Sequence, residues 1–177
     1  MTHSDFKLAF EEHQHVVYRF AWRMTNSADA AADVAQEVFM TLLRRPDAFD
    51  PNLGRLRAFL IAITRNLVLK RWRDERQWEP LDDEQFMAAP FPMVDEDTAI
   101  IVAQAVNSLP PLQREVLVLS EYEELSLAEI AQAVESEVGT VKARLHRARE
   151  NLRRMLAPLK ARSSSEDKSR SSHGSVK

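Results

Sequence analysis

Apolar residues recur at helical spacing along most of this chain. Phe6, Phe10, His13, Val17, Phe20 and Met24 follow one another at steps of three and four, which puts them on one face of a first helix. A second stripe runs through Ala31, Val34, Ala35, Val38, Phe39 and Leu42, and Asn26, with Asp29 three residues on, is the candidate cap at its start. The segment from Arg45 to Gly54 holds Pro46, Pro51 and a glycine, which end that helix. A third pattern, from about Arg55 to Arg76, is expected to turn Leu56, Phe59, Leu60, Ile63 and Leu67 inward. Three amphipathic helices can enclose one small core. The periodicity lapses over 77–97, where Pro80, Pro90 and Pro92 stand among Asp82, Asp83, Glu84, Asp95, Glu96 and Asp97, so an extended linker is expected.

Helical spacing then returns. Ala99 to Ser108 reads as one helix, stopped by Pro110, and Pro111 suits the first turn of the next. That helix runs to about Tyr122 with Leu112, Val116 and Leu119 inward. Ser126 with Glu129 three later is a capping-box signature, opening a short helix that bears Ile130, Ala131 and Val134. Beyond Glu135 and Ser136 a longer helix carries Val138, Val141, Leu145, Ala148, Leu152 and Met155 on one face. From Ser163 the chain is mostly Ser, Lys and Arg, and disorder is expected. The predicted architecture is all-α: two small helical domains, 1–76 and 98–160, joined by an acidic flexible linker over 77–97 and followed by a disordered tail over 161–177. Few contacts between the domains are expected, because the linker supplies no shared core, and limited proteolysis is expected to cut there first.

Composition narrows the classes. Only 3 glycines in 177 residues favour helix over strand. There is no cysteine, which removes disulfide scaffolds and cysteine-ligated zinc and fits a reducing, cytoplasmic setting. No signal-peptide apolar region opens the chain, and no apolar run approaches the ~20 residues that span a bilayer, so no direct membrane insertion is expected. The net charge of −3 conceals a strong asymmetry. Residues 1–73 hold 11 basic and 8 acidic side chains, 74–98 hold 1 and 9, and 99–162 hold 9 and 8. One acidic stretch thus separates two mildly basic segments.

The strongest signal for chemistry lies in 126–156. A short capped helix, a tight turn and a longer basic helix form a helix-turn-helix pattern. Opposite the apolar stripe of the last helix stand Gly139, Thr140, Ala143, His146 and Arg147, with Lys142 and Arg144 on the flanks. Short residues near the N-terminus let a helix backbone enter the major groove, and Arg or Lys reach base edges and phosphates. The bland alternative is a solvated basic face on a core helix. His13 and His15 are two apart and point to nearly opposite faces, so they make a poor metal pair; a core His13 and a surface His15 are expected. No nucleophile–base pair, glycine-rich phosphate loop or metal-spaced cluster is visible, and neither an enzyme nor a cofactor is expected.

The segments Ser126-Leu-Ala-Glu-Ile-Ala-Gln-Ala-Val134 and Val138-Gly-Thr-Val-Lys-Ala-Arg-Leu-His-Arg-Ala-Arg149, with Leu109-Pro-Pro-Leu-Gln-Arg-Glu-Val116 before them, resemble region 4 of the extracytoplasmic-function sigma factors. Tyr18-Arg-Phe-Ala-Trp-Arg23, Asp33-Val-Ala-Gln-Glu-Val-Phe39, Phe49-Asp-Pro51, Leu56-Arg-Ala-Phe-Leu60 and Arg65-Asn-Leu67 resemble region 2 of the same family. The resemblance covers about residues 6–157 in the family's order. It implies a protein that directs core RNA polymerase to promoter DNA. It implies that the second helix docks on the β′ clamp helices through Asp33, Gln36, Glu37 and Met40, and that region 4 meets the β flap. It further implies that the loop carrying Asp50, Asn52, Leu53 and Arg55 captures an unstacked base of the −10 element, lined by Arg57, Arg65, Asn66, Lys70 and Arg71. The recognition helix would read the −35 element, and an anti-sigma factor would control the chain. Departures are visible: Glu135 stands where the family commonly has Gly, Ser136 where an apolar residue is usual, and Ala35 where a larger one is. A left-handed backbone at Glu135 would cost about 1 kcal/mol, so a differently shaped turn is expected. Two other readings compete. A sigma-like protein that titrates an anti-sigma factor without binding DNA would be expected to lose the basic residues retained here at Arg144 and Arg147. A conventional helix-turn-helix regulator leaves the first domain unexplained.

Overall fold

The computed structural model describes residues 2–75, 86–90 and 97–161. All regular structure among them is helical: α1 (His3–Thr25), α2 (Ala28–Arg44), α3 (Leu56–Asp74), α4 (Thr98–Asn107), α5 (Pro111–Glu121), α6 (Leu127–Ala133) and α7 (Val138–Met155), with a final helical turn over 157–161. The expected linker is described only at 86–90 and 97; its remaining residues, and the tail from 162, lie outside the described residues.

Local chemistry sets the helix ends. Thr2 and Asp5 form a capping box at the start of α1, and the hydrogen bonds from Thr2 hold the Asp5 carboxyl below its ordinary value. Asn26 ends α1 in a left-handed conformation (φ 52°), which an asparagine tolerates. The cap of α2 is therefore Ser27, whose hydroxyl accepts the Ala30 N–H at 3.2 Å, and not Asn26 as the spacing predicts. Pro111 occupies the first turn of α5, and Ser126 with Glu129 closes the box that opens α6. The Ser126 N–H and hydroxyl both donate to the Glu129 carboxylate and lower its pKa.

Helices α1, α2 and α3 pack around Val17, Phe20, Met24, Val38, Leu42, Leu60 and Ile61, all almost fully buried. A fully buried side chain of this kind contributes about 1.5–3 kcal/mol. The inward face of α3 differs from the predicted one. Ala58, Ile61, Thr64, Val68 and Trp72 join Leu60 in the core, while Leu56, Phe59, Ile63 and Leu67 are only partly buried. The stripe is rotated by about a third of a turn at ~100° per residue. The reason is that charged and apolar residues are interspersed around α3, with Arg57, Arg65, Asn66, Lys70 and Arg71 falling on several sides, so no single stripe is readable, and it is covered on two sides. Helices α5, α6 and α7 form the second bundle around Val116, Leu119, Ile130, Val141, Leu145 and Met155, with α4 against α7.

The expectation of few contacts between the halves does not hold. Helix α3 packs on α6 and α1 packs on α5, and the buried apolar side chains of both halves form one continuous cluster. The Arg114 guanidinium, largely buried, donates to the carbonyls of Met24 at 2.9 Å, Leu109 at 3.1 Å and Asn107, and so ties α5 to the end of α1. Burial pushes its pKa down to about 10. Nor is the linker wholly unattached. Asn151, buried on α7, accepts from the Ala88 N–H at 3.1 Å and donates to the Gln113 side-chain oxygen at 2.9 Å.

His13 is a core residue and His15 is exposed, as the spacing predicts. Burial pushes the His13 pKa down from 6.5; the Glu12 carboxylate opposes that shift and the Arg57 cation adds to it. Below pH 6.5 the unfolded chain therefore takes up a proton at this site more readily than the folded one. Folding stability should fall as pH drops from 7.5 through 6.5 toward the lowered folded value. His13→Leu should flatten that part of the profile. Denaturant midpoints measured across the range check both, and equal slopes in the two proteins would contradict the assignment.

Candidate nucleic-acid interface

Helices α6 and α7 are joined by a turn in which Glu135 takes the left-handed conformation, with φ of 51°. The expectation that glutamate reshapes this turn is corrected: the Ser136 N–H reaches the Ala131 carbonyl at 2.9 Å, and the backbone accepts the strain. Glu135→Gly should therefore raise stability by about 1 kcal/mol. For a chain of this size that is a melting temperature about 2–4 °C higher. Calorimetry checks it.

Along α7 the turn leaves Gly139, Thr140, Lys142 and His146 exposed and Ala143, Arg144 and Arg147 partly so. A Cβ added at Gly139 would meet nothing within 4 Å, so the fold does not itself require glycine there. Arg144 is less free of the core than helical geometry predicts. Its side chain is 18% exposed and stands 4.0 Å from the Glu115 carboxylate, inside its own half.

The −10 residues inferred from the resemblance divide into two groups. Asp50 builds a local turn by accepting from the Asn52 backbone N–H at 2.9 Å and side-chain amide at 2.8 Å. Gly54 has φ of 153°, where an L residue is strained, and a Cβ there would stand 3.2 Å from the Gln132 side chain. Leu53 is exposed, and its carbonyl accepts from Gln132 at 2.8 Å. Between this loop and α3 lies a cleft of about 340 Å³ whose walls include Phe49, Asp50, Leu53, Phe59, Ile63 and Asn66, closed on one side by Gln132 and Glu135. Lys70 is exposed, and Arg71 lies 2.7 Å from Glu75 and 3.5 Å from Asp33.

The second group pairs with the other half, and of it Arg65 and, in part, Arg57 are buried. Arg57 donates to Glu123 at 3.0 Å, and Arg19 and Arg23 stand 3.3 and 3.7 Å from the same carboxylate, which is fully buried. Arg65 makes a two-point contact with the fully buried Glu115, at 2.7 and 3.3 Å. Arg55 lies 3.4 Å from Glu129, and the Asn66 amide is 3.5 Å from the Glu135 carboxylate. In each pair the cation or donor belongs to the first half and the acid to the second. Buried carboxylates Glu115 and Glu123 are the residues that sequence reasoning missed. Nothing in the apolar spacing marks them, since Glu115 falls beside Val116 in a stretch otherwise read as amphipathic.

The candidate docking face on α2 is open. Asp33, Gln36 and Glu37 are exposed and Met40 partly so; Glu37 pairs with Arg44 at 3.4 Å. Leu43, half exposed, extends the same face by one turn and was not singled out from the sequence. No helix among the described residues is long and apolar enough to cross a membrane.

With this geometry in view, comparison with known proteins is informative. Residues 9–78 match the family described as Sigma-70 region 2, and residues 99–152 match Sigma-70, region 4. The chain is 33% identical over 158 residues to the ECF RNA polymerase sigma factor SigW of Bacillus subtilis, covering 81% of this chain and 84% of that one. It is 34% identical over 154 residues to SigE of Mycolicibacterium smegmatis, of which it spans 59% while 82% of this chain is covered. Among solved structures, the sigma factor RpoE bound to the anti-sigma factor NepR from Bartonella quintana superposes with a TM-score of 0.67 at 26% identity, covering 86% of this chain and 97% of that one. CnrH, in complex with the cytosolic domain of CnrY, superposes with a TM-score of 0.66 at 24% identity over 90% of each chain, a likeness of fold. Both halves are matched in the order in which they occur here, and the chain therefore belongs to the extracytoplasmic-function RNA polymerase sigma factors.

Proposed function

We propose a division of labour for this sigma factor in which separate faces meet polymerase, the −10 element and the −35 element. The two domains run over 1–76 and 98–160. The exposed face of α2, with Asp33, Gln36, Glu37, Met40 and Leu43, docks on the β′ clamp helices, and the second domain meets the β flap. The loop cleft bounded by Phe49, Asp50, Leu53 and Phe59 takes an unstacked −10 base; unstacking costs a few kcal/mol, and an apolar wall with polar edges returns it. Arg57, Arg65, Asn66, Lys70 and Arg71 line the melted strand. Helix α7 enters the −35 major groove by Gly139, Thr140 and Ala143, with Lys142, Arg144, His146 and Arg147 reaching DNA. The observation that carries this reading is the helix-turn-helix with an exposed basic α7, joined in one chain to a bundle with an open acidic α2 face.

The chain itself forms and breaks no bonds; polymerase does. RpoE resembles it over most of the chain and is captured with an anti-sigma factor, which supports control of this chain by a protein of that kind in the cytoplasm. Run-off transcription with core polymerase on a genomic promoter library tests the reading. Transcripts sharing a two-part promoter motif are expected. No transcript, together with retained binding of an anti-sigma factor, would instead favour a titrating, non-DNA-binding role.

A further inference from the structure

Among the described residues the ion pairs between the halves run one way, from arginines of the first half to carboxylates of the second, and several fall on DNA-facing residues. Of the nine −10 candidates, Leu53, Arg55, Arg57, Arg65 and Asn66 each bond or pair with the second half. Glu123 draws its three cations, Arg19, Arg23 and Arg57, from the first half. Tyr122 beside it stacks under the Arg23 guanidinium at 4.2 Å. A buried carboxylate without its partners is strongly unfavourable, so Glu123 favours closure only while the halves touch. The cage is not fully satisfied: Arg57 Nε and Glu123 Oε1 are buried without hydrogen bonds. Each buried group left without a hydrogen bond destabilises the closed form, which lowers the cost of opening. Meanwhile the acidic face of α2 stays exposed.

We propose that Glu115 and Glu123 form an internal latch, in which the second half lends its carboxylates to the arginines of α3 and covers the −10 surface with the chain itself. It rests on the DNA-facing reading of Arg57 and Arg65. In the closed chain these guanidiniums are neutralised and unavailable to phosphate. Opening the latch exposes them and, with the same movement, uncovers the side of the loop cleft that Gln132 and Glu135 wall off.

Because the chain has no cysteine, Lys7→Cys and Arg153→Cys place spin labels on two exposed positions, one in each half. Distance distributions are measured by pulsed electron resonance in the otherwise unaltered chain, in Glu123→Gln, and in Glu115→Gln/Glu123→Gln. A single narrow distance is expected for the first, broadening as salt rises from ~50 to ~500 mM as exposed parts of the pairs are screened. Longer, broader distances are expected in both variants, with helix content by circular dichroism unchanged. Arg19→Gln/Arg23→Gln, outside the DNA-assigned residues, should open the chain from the other side. A fluorescein-labelled random-sequence single-stranded oligodeoxynucleotide should bind the free double variant about tenfold more tightly than the parent. Unchanged distances in all three folded variants would overturn the latch. Opening without tighter DNA binding would leave the contact as mere packing and overturn its covering role. Opening with tighter DNA binding, but no transcription by the variant with core polymerase, would sustain the latch and count against the sigma-factor assignment of these faces.

Discussion

Asp33→Lys combined with Glu37→Lys is expected to weaken association with core RNA polymerase by about 30-fold or more, while the melting temperature stays near that of the parent. Both side chains are exposed, at 71% and 50%, on the face of α2 opposite its buried stripe of Val34, Val38, Phe39 and Leu42. Surface changes away from core and caps usually alter stability by about 0.5 kcal/mol or less. Reversing two charges at a docking face opposes like with like, which costs several kcal/mol; even about 2 kcal/mol corresponds to the ~30-fold loss. Asp33→Lys also places a second cation beside Arg71, and Glu37→Lys one beside Arg44, so each single variant is measured beside the double. Leu43→Ala on the same face should add to the loss without affecting the fold. Fluorescence anisotropy of labelled protein titrated with core enzyme measures the affinity. Parental affinity in all of these variants would place the docking surface elsewhere.

Arg147→Ala is expected to lower transcription mainly by relaxing choice at one −35 position. Arg147 lies more nearly opposite the Val141, Leu145 and Ala148 stripe of α7 than Arg144, about one turn away. A bidentate contact from arginine to guanine is worth about 1–3 kcal/mol of discrimination, so selectivity at that position should fall roughly tenfold or more. Arg144 is set differently, because it also stands beside the buried Glu115. Arg144→Ala should weaken transcription from all promoters alike and flatten the salt dependence, as loss of a phosphate contact does. It should in addition lower the melting temperature, since Glu115 would lose a nearby cation. Neither substitution touches α2, so core-polymerase affinity should be preserved in both. Transcription on a −35 substitution library, run beside melting curves, separates these effects. If both variants keep parental strength and selectivity, the exposed side of α7 is not the −35 surface.

The sequence by itself determined the all-helical class, the seven main helices to within a few residues, the capping box at Ser126 and the helix-turn-helix it opens. These are local properties. Spacing at three and four, a Ser with Glu three later, and prolines at helix starts act within one or two turns and leave their mark in the residues themselves. The exposed faces of α2 and α7 followed for the same reason, since each helix has one apolar stripe and the opposite side must face out. Three features were decided only by the tertiary structure. The inward face of α3 was not legible because charged and apolar residues are interspersed around the helix and it is covered from two sides, so spacing alone carries no direction. The left-handed Glu135 follows from the demands of the turn on a residue that does not favour it. The joining of the halves depends on Glu115 and Glu123, and their meaning lies in residues 50 to 104 positions away in the chain, at Arg65, Arg57 and Arg19. A carboxylate among apolar neighbours reads as a solvated side chain until its distant cations are in place. Only the folded arrangement turns it into a buried charge whose partners include residues assigned to DNA.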